Sequence, residues 1–329
     1  MPQKSTYLIL MFVIFLGEIT AQEIHFSQFN NNQLLFNPAF AGHFDGNIRI
    51  GGSYRSQGAS ISVPYTTYSA WGDVHLEPEK ISNSSIGLGL CIYNDNAGEG
   101  SLQTTSGYFT ASFTKGFNHN NSFRATLGFS IGFINRSINF SKLVFDNQWN
   151  GTIFDPDIAS HEPYTGNSLF APDYNFGGIV CWDINEKLHT NAGVALHHIN
   201  KPNLTFYDAE NRLEYKLIFH GLVKMRISEL IQLNPGIYFS NQVDVNEVII
   251  GSNLLLIKED LKLITGLWYR VERDIIPHIG IIYKDFIVEF SYDINVSKLH
   301  IASNYRGGME ISIVKAFSTK PNRLGCNEF

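Results

Sequence analysis

Apolar residues alternate with small or polar residues in about fourteen short segments of this chain. The segment 126–133 shows the pattern clearly, because every second residue from Leu127 onward is Leu, Phe or Ile, and the residues between are Thr, Gly or Ser. A strand in the wall of a transmembrane barrel faces lipid on one side and the lumen on the other, so it needs a period of two. The pattern predicts an all-β fold, a transmembrane antiparallel β-barrel of about fourteen strands.

The predicted strands are separated by connections of two kinds. The strands lie at 46–57, 66–76, 86–93, 104–117, 122–134, 174–184, 187–199, 213–226, 230–240, 245–258, 261–269, 275–283, 286–294 and 307–317. The even-numbered connections are mostly tight, such as 185–186, whereas the odd-numbered ones include 94–103, 200–212, 295–306 and a long excursion at 135–173. Outer-membrane barrels have short periplasmic turns and longer outer loops. The alternation therefore predicts periplasmic termini and an outer surface formed by the odd-numbered loops.

The two ends of the chain differ from the barrel region. Residues 1–21 have a charged start, an apolar run and a small residue before Gln22, which indicates a secretory signal peptide. Residues 22–45 show no period of two, so we expect a turn-rich N-terminal segment before a barrel at 46–317 and a C-terminal periplasmic tail at 318–329. An exported barrel of this kind belongs in the outer membrane of a Gram-negative bacterium.

Several residues that are predicted to face the lumen are unusually small. They are Gly87, Gly89, Gly128, Ser130, Gly132 and Gly177. Glycine in a strand marks a place where another backbone comes close. We therefore expect that either the 22–45 segment or the 135–173 excursion folds inward, and that the lumen is plugged or narrow. The N-terminal segment is thus inward-facing or periplasmic.

Composition narrows the class of partner. The formal net charge of -6 and a pI near 6.0 provide no basic field for nucleic acid, so the lipid bilayer and other proteins are the expected partners. An aromatic share of 13% favours a membrane barrel, although an exported soluble β-protein stays open on composition alone. The 3 Cys residues, an odd number, argue against a disulfide framework and predict unpaired thiols.

No catalytic or metal-binding constellation is recognisable in the sequence. Residues 128–132 match the G-x-S-x-G nucleophile pattern, but Ser130 stands in the middle of an alternating strand instead of the strained strand-to-helix turn that the chemistry needs. His197 and His198 are adjacent on a predicted strand, so their rings are expected on opposite faces. We therefore expect no enzyme activity, no cofactor and no metal.

The 135–173 excursion is the first candidate for a surface contact site. Structureless loops of this length are uncommon unless they are functional or disordered. Its aromatic and acidic residues Trp149, Asp155, Asp157 and Tyr164 are the expected contacts with a partner. The alternative is a solvated, variable loop.

Motifs of a known membrane-protein family occur along nearly the whole mature chain. The N-terminal motif residues are His25, Phe26, Ser27, Gln28, Asn37, Pro38, Ala39 and Gly42. Further matches are Tyr54-Arg55-Ser56-Gln57, Tyr68, Pro172-Asp173-Tyr174-Asn175-Phe176-Gly177-Gly178, Phe290-Ser291-Tyr292-Asp293, and Cys326 with Phe329. In these residues the chain resembles the PorP/SprF family of type IX secretion and gliding-motility membrane proteins. One departure is Asn327, which stands where the family has Pro in its Cys-Pro-x-Phe ending.

The resemblance implies a barrel of the broad FadL-like type without catalytic residues. It also implies a non-enzymatic outer-membrane component of the type IX secretion system that supports secretion or surface attachment of a partner protein, such as an adhesin used in gliding. The implied partners are this secreted surface protein and the secretion machinery in the periplasm and outer membrane. A passive outer-membrane channel for hydrophobic solutes is the alternative, and an outer-membrane hydrolase is the third. A neighbouring adhesin gene would favour secretion, and a catabolic operon would favour transport.

Overall fold

A single closed barrel contains most of the chain. The computed structural model describes residues 25–318 except for 61, 62, 119, 156, 209 and 299. In this part of the chain, fourteen antiparallel strands form the barrel, and the first strand pairs with the last. The prediction of an antiparallel barrel of about fourteen strands is confirmed. The predicted signal peptide at 1–21 and residues 319–329 of the predicted tail lie outside the described residues.

Each predicted strand has a counterpart in the structure. The strands are β1 (Ile48–Gln57), β2 (Tyr65–Leu76), β3 (Ser84–Ala97), β4 (Leu102–Gly116), β5 (Phe123–Ser137), β6 (Ser168–Asn185), β7 (Leu188–His197), β8 (Lys216–Arg226), β9 (Ile231–Gln242), β10 (Val245–Lys258), β11 (Leu261–Arg270), β12 (Asp274–Tyr283), β13 (Phe286–Asn295) and β14 (Arg306–Phe317). The prediction of a long connection at 94–103 is wrong, because residues 94–97 continue to pair with β4 and leave only the turn 98–101. Similarly, residues 168–173 pair with β5, so the long excursion is the loop 138–167.

The two ends of the barrel carry different connections. One end, here the short-turn end, contains the start of β1, the end of β14 and the connections 77–83, 117–122, 186–187, 227–230, 259–260 and 284–285. The opposite end, here the long-loop end, contains the connections 58–64, 98–101, 138–167, 198–215, 243–244, 271–273 and 296–305. The long loops thus lie together, although three connections at their end are tight turns.

The outer wall of the barrel is an apolar band with aromatic residues near both margins. Exposed aromatic side chains near the short-turn end are Phe117, Trp182, Tyr283 and Phe317, and those near the long-loop end are Tyr65, Tyr68, Phe170 and Tyr269. Between them the outward positions are mostly Ile, Leu, Val and Phe. Paired aromatic girdles around an apolar band are typical of barrels in the outer membrane.

The helices in the described residues are short. They are the α-helices α1 (Gln33–Phe36) and α2 (His300–Ser303) and the 3-10 helices Phe29–Asn31, Pro38–Phe40, Phe140–Lys142 and Asp146–Gln148. None of the helices in this part of the chain is long and apolar enough to cross a membrane. The first two 3-10 helices and α1 precede β1 and form the segment described next.

The orientation of β5 can be tested at Phe129, whose side chain is 44% exposed on the outer wall. An Arg near the bilayer midplane on the lipid face costs roughly 2 to 4 kcal/mol, so Phe129→Arg should lose that much stability in a urea titration of refolding into lipid vesicles. Phe129→Leu is the control and should refold like the parent. Ser130→Arg is no neutral comparison, because Ser130 is buried inside the barrel. Equal refolding of Phe129→Arg and Phe129→Leu would contradict the lipid-facing assignment.

Candidate functional site

Residues 25–44, here called the plug, run through the inside of the barrel from the long-loop end to the short-turn end. Near the long-loop end, the Ser27 backbone N–H donates to Glu310 Oε2 at 2.7 Å. Near the short-turn end, the Gly42 N–H donates to Asp73 Oδ2 at 2.8 Å. Nearly every residue of the plug is buried. Of the two segments that the sequence offers as inward-folding, the N-terminal one therefore occupies the lumen.

The plug backbone rests directly on glycines of the wall. A Cβ on Gly87 would lie 1.9 Å from the carbonyl oxygen of Ala41, and a Cβ on Gly128 would lie 2.3 Å from the backbone nitrogen of Ala39. At Gly177 the added atom would lie 2.0 Å from Asn37 Oδ1. Any side chain at these positions would overlap the plug, which explains why β3, β5 and β6 have glycine there.

One flank of the plug is polar and is held by a buried charged cluster on β1 and on β10 to β14. Ser27 Oγ donates to Asp293 Oδ1 at 2.7 Å and accepts from Arg55 at 2.6 Å and from Arg270 at 2.9 Å. The amide of Gln28 donates to Ser291 Oγ at 3.0 Å. A single serine hydroxyl therefore lies between two guanidinium groups and a carboxylate from three strands that are distant in sequence.

Ion pairs connect the members of this cluster to one another. Arg55 contacts Asp293 at 2.5 Å and Glu310 at 3.1 Å. Arg270 contacts Glu247 at 2.8 Å, Asp274 at 2.7 Å and Asp293 at 3.1 Å. Buried charges are tolerated only when they are paired and hydrogen-bonded, and here each guanidinium has several carboxylate partners. The cluster fixes the plug near the long-loop end.

Below this cluster, amide side chains of the plug continue the polar flank. Asn31 Nδ2 donates to Glu289 Oε2 at 3.0 Å. Asn32 Nδ2 donates to Ser53 Oγ at 3.0 Å. Arg49 donates to Gln33 Oε1 at 2.7 Å and forms an ion pair with Asp73 at 3.0 Å. The plug contains several Asn and Gln residues because their amide groups form hydrogen bonds with the polar side of the barrel wall.

The opposite flank of the plug is aromatic. Phe29 packs against Tyr238 and Trp268, with ring centroids 5.5 Å and 5.3 Å away, and Phe36 packs edge-on against Tyr238 at 5.3 Å. The other buried members of this cluster are Phe26, Ala195, Ile218, Leu222, Ile249 and Ile276. Edge-on aromatic pairs stabilise a protein beyond the free energy that is gained by burying their apolar area. The plug is thus amphipathic, and its two flanks match the polar and apolar sectors of the lumen.

The Asn37-Pro38-Ala39 motif shapes the middle of the plug. Asn37 Oδ1 accepts from the Ala39 N–H at 2.9 Å and caps the 3-10 helix that begins at Pro38. Asn37 Nδ2 donates to the carbonyl oxygens of Gly178 and Val194, each at 3.2 Å. One side chain therefore both ends an extended stretch and ties the plug to β6 and β7. All eight N-terminal motif residues, from His25 to Gly42, lie in the plug.

Ser130 and two histidines face the lumen near the long-loop half of the plug. Ser130 Oγ accepts from Asn175 Nδ2 at 3.1 Å, and Ser130 lies inside β5 as the sequence predicts. His198 contacts both carboxylate oxygens of Asp173 at 3.0 Å. The prediction that His197 and His198 point to opposite faces is wrong, since β7 ends at His197 and a φ of 58° at His198 turns both rings inward.

The cysteines differ from the expectation. Cys91 is an unpaired, buried thiol, as expected. Cys181, by contrast, is disulfide-bonded, so the prediction of unpaired thiols is wrong for this residue. Cys181 faces the lumen on β6, and an exported protein matures in a compartment where such bonds persist.

The loop 138–167 is ordered and attached to its neighbours at the long-loop end. Phe140 stacks on Tyr164 with ring centroids 4.0 Å apart, and Phe206 of the loop 198–215 packs edge-on against Phe140 at 5.9 Å. The Thr165 N–H donates to the carbonyl oxygen of Phe206 at 2.8 Å. The predicted contact residue Tyr164 therefore serves to join the two long loops, although its side chain stays partly exposed.

The loop 198–215 also covers the mouth of the barrel. Leu204 is buried against Ile134 of β5 and Ala171 of β6, and Leu213 packs against the same cluster. These wall residues face inward, so the loop covers the part of the lumen beside β5 and β6. Of the remaining predicted contacts, Trp149 and Asp157 are exposed and Asp155 is partly exposed in the loop 138–167. Among the described residues no group of three or more His, Cys, Asp or Glu could hold a metal ion.

The family of the chain follows from a match that spans nearly all of these elements. Residues 19–314 match the family described as "Type IX secretion system membrane protein PorP/SprF". The chain belongs to the PorP/SprF family. The resemblance carried by the plug motifs is therefore confirmed, and the protein is a membrane protein of the type IX secretion system. The expectation that it is not an enzyme agrees with PorP/SprF membership.

Solved outer-membrane channels share the architecture of this PorP/SprF barrel. The toluene transporter TbuX of Ralstonia pickettii has a TM-score of 0.50 at 9% identity, with 87% of this chain and 94% of that chain covered. The TodX monoaromatic hydrocarbon channel, as a deltaS2 mutant, has a TM-score of 0.51 at 12% identity, with 86% and 93% covered. A Pseudomonas aeruginosa FadL homologue matches with a TM-score of 0.45 at 10% identity, with 85% and 93% covered. No curated protein sequence matches the chain.

Proposed function

We propose that this PorP/SprF protein is a non-enzymatic outer-membrane component that supports secretion or surface attachment of one partner protein, such as an adhesin used in gliding. The observation that supports this most strongly is the combination of a plugged lumen with an ordered surface of long loops at one end. A barrel whose lumen is plugged and whose long loops form an ordered surface is suited to binding another protein.

The plug argues against passage of a folded or unfolded protein through this barrel. It occupies the lumen from the charged cluster at Arg55 and Arg270 to the wall glycines Gly87 and Gly128, which contact its backbone and are here called the glycine bed. Moving it would break buried hydrogen bonds and ion pairs together, each of which is costly to leave unmade. We therefore infer that the partner is held at the surface, while other components of the secretion machinery move it across the membrane.

The two ends of the barrel have different tasks in this proposal. The long-loop end faces the cell exterior and contacts the secreted partner through the loop 138–167. The short-turn end faces the periplasm, where the tight connections contact the secretion machinery. This orientation follows the rule that periplasmic turns are short and outer loops long.

Deletion of the gene tests the proposal. One specific surface protein should disappear from the cell exterior, while general type IX cargo is still exported. Replacement of residues 140–164 by a short Gly-Ser linker should reproduce that loss with the barrel still present in the membrane. The measurement is surface proteomics of the deletion strain and the loop-shortened strain beside the parent. As a control, shortening the connection 58–64 should leave the surface proteome unchanged.

A passive channel for hydrophobic solutes is the alternative function. It is favoured by the printed descriptions of the structural neighbours, a toluene transporter and a monoaromatic hydrocarbon channel. An unchanged surface proteome together with reduced uptake of a hydrophobic nutrient in the deletion strain would support the channel and contradict the secretion proposal.

A further inference from the structure

The tip of the loop 138–167 is a β-hairpin with apolar side chains in water. Trp149 and Phe154 form an antiparallel bridge, and their rings lie 5.0 Å apart. The Asn150 N–H donates to the Ile153 carbonyl oxygen at 3.1 Å, and Gly151 supplies the positive φ of 97° that the turn requires. Trp149, Ile153 and Phe154 are 49%, 60% and 51% exposed.

The hairpin is held in place at its base. The Gln148 side chain is buried, accepts from the Phe145 N–H at 3.0 Å and donates to the Ile158 carbonyl oxygen at 2.7 Å. The Asp155 N–H donates to the Gln148 carbonyl oxygen at 2.9 Å. The three apolar side chains are therefore presented on a preorganised support, so that little ordering entropy is lost when a partner binds.

Four acidic residues lie in the same loop as this apolar tip and are here called its rim. They are Asp146, Asp155, Asp157 and Glu162, and none of them forms an ion pair within the described residues. The cation of the same loop, Lys142, is directed to Ser101 Oγ at 2.9 Å. Two of the three acidic residues of the adjacent loop 198–215, by contrast, have cationic partners, because Lys201 pairs with Glu214 and Arg212 pairs with Glu210. The tip thus combines an apolar centre with an unneutralised negative rim.

We propose that the tip of the loop 138–167 is the docking element for the secreted partner, and that it inserts into an apolar pocket rimmed by Lys and Arg on that partner. This inference rests on the proposed function and specifies the chemistry of the partner. An aromatic anchor inside a charged rim is the arrangement in which a few central residues supply most of the affinity. The rim charges select the partner and speed its association.

The charge of the rim argues against the other possible occupants. An outer-membrane surface with anionic lipid phosphates would be repelled by the four carboxylates. A second copy of this chain would bring an identical acidic rim against this one, and like charges in contact are unfavourable. A cationic protein surface is the occupant for which both the apolar tip and the rim contribute.

The test uses photo-crosslinking on intact cells. A benzophenone amino acid replaces Ile153, which leaves Trp149 and Phe154 in place, and irradiation should yield an adduct with the surface protein that is lost from the deletion strain. The same amino acid at Phe117, which is equally exposed but at the short-turn end, should yield no such adduct.

Substitutions identify the chemistry of the contact. Trp149→Ala should lower the adduct yield from position 153 on the order of tenfold or more, the effect of losing a central anchor. The double variant Asp155→Lys, Asp157→Lys should lower it similarly, whereas the matched reversal Asp244→Lys in the turn between β9 and β10 should not.

The outcomes separate this inference from the proposed function. If deletion removes a surface protein but position 153 crosslinks to lipopolysaccharide, to a second copy, or to nothing, the docking element is wrong while the secretion function stands. An adduct with the right protein whose yield is unchanged by the double variant Asp155→Lys, Asp157→Lys would overturn the basic-rimmed pocket. If deletion leaves the surface proteome unchanged, the proposed function itself fails.

Discussion

Gly128→Leu should open the lumen of a barrel that otherwise stays closed. The first added atom would lie 2.3 Å from the Ala39 nitrogen and 2.4 Å from the Pro38 carbonyl carbon. Both are backbone atoms, so no flexible side chain can move aside and the plug itself must shift. Overpacking of a tight contact costs roughly 1 to 3 kcal/mol, which changes the ratio of closed to open barrels by about fivefold to 140-fold.

The barrel itself should survive this substitution. Strand pairing of β5 with β4 and β6 uses backbone groups that a side chain on the lumen face does not touch. The measurement is conductance of the purified protein in a planar bilayer, beside the sensitivity of cells to vancomycin. Gly221→Leu is the control for adding Leu at a strand glycine away from the plug, since Gly221 lies between the buried His220 and Leu222, faces the outer wall, and has its nearest atom 3.6 Å from the added Cβ. It should stay as closed as the parent.

A folded Gly128→Leu barrel that conducts no more than the parent would show that the plug does not seal the lumen at this point. Gly128→Ala adds only the Cβ and should give an intermediate conductance. It keeps the test informative if the larger substitution prevents assembly.

The strands and the existence of an inward segment could be predicted from the sequence, because both leave a local signal. Alternation marks each strand where one face meets lipid, and glycines on the lumen face indicate a close backbone. The same signals do not say which segment approaches Gly87 or Gly128. Two candidates fitted, and only the three-dimensional structure distinguishes the plug from the loop 138–167.

Strand ends are less predictable for a related reason. Residues 94–97 of β3 and 168–173 of β6 continue their pairing at and beyond the margin of the apolar band. Without lipid on one face, no alternation of apolar residues is required there. The strands therefore run past the point where the pattern fades, and the predicted loops are longer than the real ones.

The charged cluster around Ser27 could not be predicted from one sequence. Ser27 and Asp293 are in contact but 266 positions apart. The segments that carry the family resemblance, at 25–28, 54–57 and 290–293, each contribute a member of this cluster. Their shared role was not visible as a spacing, because barrel closure brings the first and last strands together and no local pattern records that pairing.

Loss of Arg55 should strongly destabilise the protein. Arg55 contacts the carboxylates of Asp293 and Glu310 and donates to Ser27 Oγ. Arg55→Met keeps much of the apolar stem but leaves Glu310 without its cation in a buried site. Removal of one partner of a buried ion pair costs about 3 to 5 kcal/mol. Urea unfolding of the refolded barrel, followed by tryptophan fluorescence, measures this loss.

A second substitution can show whether Arg55→Met lowers stability through the unpaired Glu310 carboxylate or only through lost packing. The double variant Arg55→Met, Glu310→Gln removes the uncompensated charge and should recover part of the stability. Arg212→Met, at an exposed pair, should leave unfolding unchanged. Equal stability of Arg55→Met and Arg212→Met would mean that the buried cluster does not hold the plug, and the closed lumen would then depend on the glycine bed and the aromatic flank alone.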